Sequence, residues 1–366
     1  MKPTPLDEFP VHQTPLPMAQ VGTSDRNFYD RYYLNAHDRT GEVFLVTGFG
    51  AYPNLGVVDA FATVRHGDTQ RSVRFSDALD ARSLEPAVGG YRIEVIEPLR
   101  TLRLVCEHPD LSMDMTWEGS FEAVLEDRHV LLEGTRAMLD ASRFAQVGSW
   151  SGTLSVDGHD FAVDPDVWLG TRDRSWGIRP SGESDPPGRW AAEPREGFWW
   201  TYIPLRFSDY AMVIILQESP DGHRSLNHAS RVFADGRIEQ LGWPRLEVDY
   251  RAGTRHPVRA RLDLTTPGGE PLLLEVETLG GIPLSMGSGY VGDPAWSHGR
   301  WMGRNWSESV SYDMTSPDVA GMLPFNVVDH VARATCNGDE GWGLFEHANM
   351  GRHDPSGFKD WVDMAE

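Results

Sequence analysis

The most regular feature of the chain is a succession of short hydrophobic segments separated by Gly, Asp, Pro and Asn. Examples of these segments lie at residues 42–47, 57–64, 91–96 and 102–106. The residues between them favour tight hairpin turns at 64–69 and 156–159, because Gly and Asp tolerate positive φ angles. The pattern predicts an all-β chain, folded as two barrels or half-open sandwiches divided near residues 165 to 195.

Other stretches depart from this pattern. Residues 136–145 are the best candidate for a helix, although the segment is short. Residues 1–20 are rich in proline and polar side chains without periodicity, which predicts an extended N-terminal arm. Residues 181–197 form a long loop rich in Gly and Pro, typical of a functional lid or a disordered excursion. Two consecutive β-barrel domains are therefore expected, at 21–165 and 166–366.

The second half contains the strongest predicted hairpin, with strands at 198–205 and 210–218. Alternation places Trp200 and Tyr202 on one face of the first strand. On the second strand it places Tyr210 and Glu218 on one face that is otherwise apolar. An acid on such a face either points into a cavity or, at a strand end, points to water. Both alternatives stay open from the pattern alone.

Composition and charge narrow the classes of partner. The 366 residues are 40% hydrophobic and 24% charged, as in an ordinary folded protein. A formal net charge of -21 repels nucleic acid and anionic lipid, and no apolar run reaches the ~20 residues of a membrane helix. The first residues lack the apolar segment of a signal peptide, so a cytoplasmic location is expected. The expected partner is a hydrophobic small molecule, and a homodimer remains open.

Residues 167–180 combine large aromatic and charged side chains in a segment that resembles a strand running into a loop. One face carries Trp168, Gly170, Arg172, Arg174 and Trp176, and the other carries Leu169, Thr171, Asp173 and Ser175. The mixture of tryptophan and arginine favours the wall of an apolar cavity with a few placed polar groups. The alternative is a structural ion pair of Asp173 with an arginine, flanked by core tryptophans.

Within this segment, residues 173–177 (Asp-Arg-Ser-Trp-Gly) resemble the Asp-His-Asn-Trp-Gly signature of the hydroxyneurosporene synthase (carotenoid 1,2-hydratase) and AttH-like superfamily. Further similar stretches lie at 49–60, 91–100 and 341–347. The resemblance extends over about residues 20 to 355. It implies two consecutive lipocalin-like β-barrels that enclose a ligand cavity.

The same resemblance suggests site residues and also shows two departures from the family. The family's acid on the strand after this motif corresponds to Glu218, whereas its tyrosine is replaced by Leu216. The family's histidine is replaced by Arg174, and Trp176 is retained. Arginine remains protonated and cannot shuttle a proton, but its planar guanidinium can hold a carboxylate or another oxygenated group. We therefore expect Glu218 to donate the proton, with Arg174 and Trp176 beside it and Asp173 pointing away to support the strand.

Several other residues are weaker candidates. Glu346 shares an apolar face of the strand at 341–347, and it or Asp173 would inherit the acid role if Glu218 lay outside the cavity. Tyr52 and Asn54 could reach the domain interface, although Pro53-Asn54 is also ordinary turn sequence. Trp200, Tyr202 and Tyr210 are expected to contact the substrate.

The sequence offers no recognisable cofactor motif. The histidines do not fall into metal-binding patterns with a nearby carboxylate, and Walker A, GxGxxG and GxSxG motifs are absent. Cys106 and Cys336 are far apart and are expected to be buried free thiols. We therefore expect a protein that uses neither metal nor cofactor.

Two functions remain open at this stage. The first is an enzyme that acts on an isoprenoid, steroid or similar lipid by acid–base chemistry at a C=C bond, as a hydratase, isomerase or cyclase. A carboxyl in an apolar cavity has a raised pKa and can keep the proton that such a reaction needs. The second is a non-catalytic, lipocalin-like carrier of a hydrophobic molecule. The choice depends on whether a carboxyl faces the cavity.

Overall fold

The computed structural model describes residues 3, 5–185, 195–290, 293 and 295–366, and this part of the chain is nearly all-β. In chain order the strands are β1 (Phe28–His37), β2 (Val43–Tyr52), β3 (Val57–His66), β4 (Thr69–Ala78), β5 (Ala87–Val88), β6 (Tyr91–Glu97), β7 (Thr101–Cys106), β8 (Leu111–Gly119), β9 (Val124–Leu125), β10 (His129–Glu133), β11 (Arg136–Val156), β12 (His159–Val163), β13 (Leu169–Ile178), β14 (Gly197–Arg206), β15 (Tyr210–Glu218), β16 (Arg224–Phe233), β17 (Ile238–Gln240), β18 (Arg245–Tyr250), β19 (Pro257–Thr265), β20 (Pro271–Pro283), β21 (Trp306–Asp313), β22 (Val328–Cys336) and β23 (Asp339–Gly351). The helical segments are the α-helix α1 (Pro317–Met322) and 3-10 turns at Pro5–Glu8, Leu323–Phe325 and Asp354–Ser356. The predicted all-β class is confirmed.

Over the described residues these strands form two curled antiparallel sheets. The path of the first sheet is β21-β4-β3-β2-β1-β13-β11-β8-β7-β6-β5, with β9, β10 and β12 also paired to β11. The second sheet has the order β17-β16-β15-β14-β23-β22-β20-β19-β18. Most neighbours in each sheet are also neighbours along the chain, as expected for hairpin-connected β architecture.

The hydrophobic core has three layers, because several strands are buried on both faces. On β1, Leu34 packs inside the curl of the first sheet, whereas Tyr33 faces the second sheet. On β14, Ile203 packs inside the second sheet and Trp200 faces the first. Side chains of successive strand residues point to opposite faces, so one strand can supply both layers. The middle layer lies between the two sheets and contains side chains from both.

The strand and turn predictions agree with the structure at most positions. The predicted turn at 156–159 joins β11 to β12, with Asp157 at φ 49° and Gly158 at φ 79°, the two positive φ values that a tight hairpin turn requires. The hairpin of β14 and β15 is also present. Both cysteines are buried free thiols, as predicted.

The helix predicted at 136–145 is wrong. These residues begin the long strand β11, which pairs with β10 on one edge and with β13 on the other. Alanine, methionine and leucine favour helices locally, but strand pairing and burial override this preference.

Sheet membership crosses the predicted domain boundary at residue 165. Strand β13 follows that boundary but pairs with β1 and β11 in the first sheet. Strand β21 comes from much later in the chain and pairs with β4 at the edge of the same sheet. The division into 21–165 and 166–366 stays a prediction, and so does the extended arm, of which residues 1, 2 and 4 lie outside the described part.

The predicted loop at 181–197 is described at 181–185 and at 195–197, and residues 186–194 lie outside the described part. No described helix has the length and apolar character needed to cross a membrane.

Candidate functional site

A cavity of about 170 Å³ lies between the two sheets, in the middle layer of the core. Strands β1, β10, β11, β13, β14, β15 and β23 contribute side chains to its wall. Its apolar portion consists of Leu131, Leu139, Ala141, Phe198, Trp200 and Val327. A set of charged residues faces the same space, which is the composition of a binding site that both encloses and orients a small molecule.

Strand alternation brings the polar groups together. On β1, Tyr29, Arg31 and Tyr33 all line the cavity at every second position. Across the sheet Tyr33 pairs with Asp173 of β13, and Asp173 pairs with Ala145 of β11. Because paired residues point to the same face, the side chains of β1, β11 and β13 converge on this cavity.

Asp173 is a buried acid in the wall of the cavity. The residue is only 8% exposed, and no described group donates a hydrogen bond to its carboxyl. Burial raises the pKa of Asp173 to about 6; the positive charge of Arg143 opposes this rise, and the nearby Glu346 carboxyl adds to it. An acid with this pKa and no fixed partner can exchange its proton with a bound molecule.

Glu346 and Asp329 form a second acidic group beside Asp173. Glu346 lines the cavity and accepts a hydrogen bond from the Trp200 indole N–H. Asp329 pairs with Glu346 across β22 and β23 and accepts a hydrogen bond from the Tyr33 hydroxyl. Burial raises the pKa of Asp329 well above its ordinary value, and the neighbouring Glu346 carboxyl raises it further. Burial and the neighbouring carboxyl therefore favour the protonated form of Asp329.

Glu126 and Arg143 form an ion pair on another side of the cavity. The Arg143 Nε donates to Glu126 Oε2 at 2.6 Å, and the guanidinium lies 4.6 Å from the centre of the Tyr202 ring. Burial raises the pKa of Glu126 to about 7, although Arg143 lowers it. The pair keeps one positive charge close to Asp173 without contacting its carboxyl directly.

His129 completes this part of the wall as a neutral ring. It stacks on Trp200 with the ring centres 5.4 Å apart, and its Nε2 lies within hydrogen-bond distance of the Gln217 side-chain oxygen. Burial lowers the pKa of His129 to about 4, so the ring is uncharged at neutral pH. Trp200 is thus held by His129 at its ring and by Glu346 at its N–H.

The opposite end of the cavity is cationic. Arg31 and Arg179 lie 5.2 Å and 5.1 Å from the centre of the Tyr290 ring. An Arg31 Nη2 lies 3.2 Å from His298 Nε2, and burial lowers the pKa of His298 well below its ordinary value. The site therefore has an acidic end around Asp173 and a basic end around Tyr290.

The structure does not bring together the group expected from the sequence, namely Arg174, Trp176 and Glu218. Arg174 faces away from the interface cavity; it pairs with Asp30 and lies 3.9 Å from the Tyr32 ring centre. Trp176 is 36% exposed. The face assignment along β13 was right, but the opposite face, with Asp173 and Ser175, lines the interface cavity.

Glu218 is also placed elsewhere. Its carboxyl accepts hydrogen bonds from Arg224 at 2.6 Å and from His353 at 3.1 Å. Burial raises the pKa of Glu218, but these two partners outweigh burial and hold it below its ordinary value. These partners favour the ionised form of Glu218, which does not suit a proton donor.

The expectation that Asp173 points away from the cavity is wrong, because Asp173 lines the cavity wall.

The other predicted residues are divided among several places. Trp200 and Glu346 line the cavity, and Tyr202 packs behind Arg143. Tyr210 stacks on Phe207 inside the second sheet. Tyr52 is buried in a separate small cluster, and Asn54 is exposed, with its amide bound to backbone carbonyls.

Several cavity residues were missed in the sequence. Tyr29, Arg31 and Tyr33 alternate along β1 in the same aromatic-and-arginine pattern that drew attention to 167–180. Arg143 was missed because its segment was interpreted as a helix, which has a different periodicity. Glu126 and Tyr290 lie in irregular segments, where the sequence carries no comparable signal.

In the described part of the chain, no three His, Cys, Asp or Glu side chains are grouped so as to hold a metal ion. Independence from metal and cofactor stays a prediction.

A model of a family of unknown function, DUF8625, matches residues 4–359. No curated protein matches the sequence. The fold is similar to an AttH protein from Nitrosomonas europaea, with a TM-score of 0.54, 14% identity and coverage of 88% of this chain and 92% of that one.

The fold is also similar to kievitone hydratase from Nectria haematococca, with a TM-score of 0.52, 14% identity and coverage of 88% and 89%. A third similar structure is CghA, with a TM-score of 0.50, 13% identity and coverage of 89% of each chain. These likenesses confirm the predicted lipocalin-like fold.

Proposed function

The chain belongs to DUF8625, a family of unknown function, and we propose that it is an enzyme that protonates a C=C bond of a hydrophobic small molecule. The observation that carries this proposal is the buried Asp173 carboxyl, which faces the cavity between the sheets and has no hydrogen-bond donor among the described residues. The substrate class is an isoprenoid, steroid or similar lipid. Hydration, isomerisation and cyclisation all begin with this protonation.

In the first step the Asp173 carboxylic acid transfers its proton to one alkene carbon, and the other carbon becomes a carbocation. Asp173 becomes a carboxylate close to that positive charge and stabilises it. The aromatic rings of Phe198, Trp200 and Tyr290 in the cavity wall also stabilise a cation through their faces.

In the second step a base removes a proton, and we assign this role to the Glu346 carboxylate, which lines the same cavity. If water attacks the cation, Glu346 accepts the water's proton and the product is an alcohol. If no water attacks, Glu346 accepts a proton from a neighbouring carbon and the double bond moves; when a second C=C bond of the substrate first attacks the cation, a ring bond forms and the same proton loss gives a cyclic alkene. Glu346 then passes its proton to Asp173, directly or by exchange with solvent, which restores both groups.

The proposal is supported by the chemical contrast between neighbouring acids. Arg143 donates to one oxygen of Glu126 and Trp200 to one oxygen of Glu346, so each of these carboxyls already has a donor. Asp173 has none and has a raised pKa. At this level of identity, the AttH protein and kievitone hydratase show only that they share a fold with this chain. The proposed chemistry therefore rests on the residues of the cavity.

The test is turnover of a panel of olefinic isoprenoids and steroids in deuterated water, followed by mass spectrometry. The wild type is expected to place deuterium on the protonated carbon. Asp173→Asn keeps the shape but removes the proton, so we expect the rate to fall by about 10²–10⁴-fold with substrate binding retained.

Glu218→Gln is the matched control, because it removes a carboxyl that lies outside the cavity and should leave turnover within about threefold. If the wild type binds a panel member tightly but incorporates no deuterium into it, the proposed enzymatic activity is contradicted. That result would indicate a non-catalytic carrier.

A further inference from the structure

Two arginines at the basic end of the cavity form no ion pair with any described residue. Arg31 is 4% exposed and its Nε has no hydrogen-bond partner. Arg179 also lines the cavity. Among the described residues, no carboxylate lies within 4.0 Å of either guanidinium. Both groups carry a positive charge, because arginine stays protonated in proteins.

Arg31 and Arg179 place two positive charges beside one ring. Their guanidinium groups lie 5.2 Å and 5.1 Å from the centre of the Tyr290 ring, so the two cations repel each other. The neighbouring His298 is neutral and relieves neither charge. Buried charges are normally paired, and a bound anion would supply the missing partner.

Other arginines in the same region are already paired. Arg136 pairs with Asp185 and Arg195 with Glu133 along the wall of a second cavity of about 670 Å³. This second cavity shares Arg179 and Tyr290 with the site cavity. Arg179 therefore lies where the two cavities meet, and Arg31 lies beside it at the Tyr290 ring.

We propose that the substrate is an unsaturated carboxylic acid whose carboxylate binds Arg31 and Arg179 and whose apolar chain lies toward Asp173. This proposal rests on the proposed function and names the substrate class of the same site. A planar guanidinium matches a carboxylate with two parallel hydrogen bonds, which suits this anion better than a neutral alcohol or ester. The negative charge of the whole chain does not oppose it, because the local groups are cationic.

Binding of the carboxylate would also prepare the acid. Burial raises the pKa of Asp173, while Arg143, Arg31 and Arg179 lower it. Neutralising Arg31 and Arg179 removes part of the lowering, so Asp173 holds its proton more firmly once the substrate is bound. The charged and titratable groups that face Asp173 are Arg31, Arg143, Arg179, Glu126, Glu346, Asp329, Tyr202 and Tyr290.

The experiment compares the binding of geranic acid and methyl geranate to the full chain at pH 7 by isothermal titration calorimetry. The wild type is expected to bind the acid at least tenfold more tightly than the ester. Arg179→Gln is expected to remove this preference by weakening only the acid. Arg31→Lys, which keeps the charge but loses the planar fork, should reduce the preference by a smaller factor.

Arg300→Gln is the control, since it removes a positive charge from the wall of the second cavity without touching the proposed pair. It should keep the preference of the wild type. Equal binding of acid and ester by the wild type, or an unchanged preference in Arg179→Gln, would overturn the carboxylate site. Because binding is measured without turnover, these outcomes are distinct from a failure of the Asp173 chemistry, which appears only in measurements of turnover.

Discussion

The Asp173 carboxyl differs from its neighbours in how its charge is compensated. Arg143 donates to Glu126 and Trp200 donates to Glu346, whereas no described group donates to Asp173, whose pKa is raised by burial. A single residue therefore combines access to the cavity with a pKa in the range of a useful acid. At this scale, function depends on which carboxyl is left without a donor, and not on how many carboxyls are present.

The pH dependence of the reaction follows from this pKa. Burial raises the pKa of Asp173 to about 6, so the donor is protonated below pH 6 and loses its proton as the pH rises. We expect kcat/KM, which reports the free enzyme, to be level below about pH 6 and to fall about tenfold per unit above it. The residual kcat/KM of Asp173→Asn should not show this fall above pH 6. A kcat/KM that rises between pH 6 and pH 8 would show that Asp173 is not the acid.

Strands β11 and β13 approach their neighbours closely, because two glycines pair with each other across them. Gly148 and Gly170 are register partners. A Cβ at Gly170 would lie 2.0 Å from the Asn35 carbonyl oxygen and 2.6 Å from Trp150 Nε1. That indole N–H donates to the same carbonyl at 2.8 Å. The strand that carries Asp173 is thus positioned by contacts that leave no room for a methyl group.

We expect Gly170→Ala to lower the free energy of unfolding by about 1–3 kcal/mol, since overpacking forces the strand backbone to shift. Turnover should fall with it, because Asp173 lies three residues away on the same strand. Gly321→Ala in α1 is the control; its Cβ would meet nothing within 4 Å, so stability should be unchanged or slightly higher. Urea unfolding of both variants measures the difference, and equal stabilities would contradict the close-approach argument.

The two sheets are joined by more than the shared core layer. Strand β21, from the second half of the chain, extends the first sheet beside β4. Arg74 of β4 pairs with Asp293 at 2.9 Å, and each side chain is 1% exposed. Arg74 also pairs with Glu308 on β21. The cavity lies between two sheets that are linked by the continuous chain, by the pairing of β21 with β4 and by a buried ion pair.

Because of these ties we expect the chain to unfold in one cooperative transition in calorimetry, rather than as two barrels. Arg74→Gln leaves Asp293 buried without its partner and should lower the stability of the whole chain by about 3–5 kcal/mol. Arg261→Gln removes an exposed pair with Asp263 and should cost less than about 1 kcal/mol. Two resolved transitions, with only one sensitive to Arg74→Gln, would contradict this coupling.

The sequence by itself determined the all-β class, the positions of the strand segments named from its pattern and the faces of β13. Alternation along 167–180 correctly separated Asp173 from Arg174, and the turn at 156–159 was predictable from Asp-Gly. These features depend on local backbone preferences and on the two-residue repeat of strands, which are read directly from neighbouring residues. Residues 136–145 show the limit, because local helix preference was overridden by strand pairing.

Only the tertiary structure decided which face of β13 became the cavity wall and which acid remained free. That choice depends on how the second sheet packs against the first, a contact between residues far apart in the chain. A contact between residues far apart in the chain also determines the environment of Glu218, because its carboxyl accepts a hydrogen bond from His353 in the C-terminal region. Periodicity can assign a side chain to a face, but its charge state depends on burial and on partners that folding supplies.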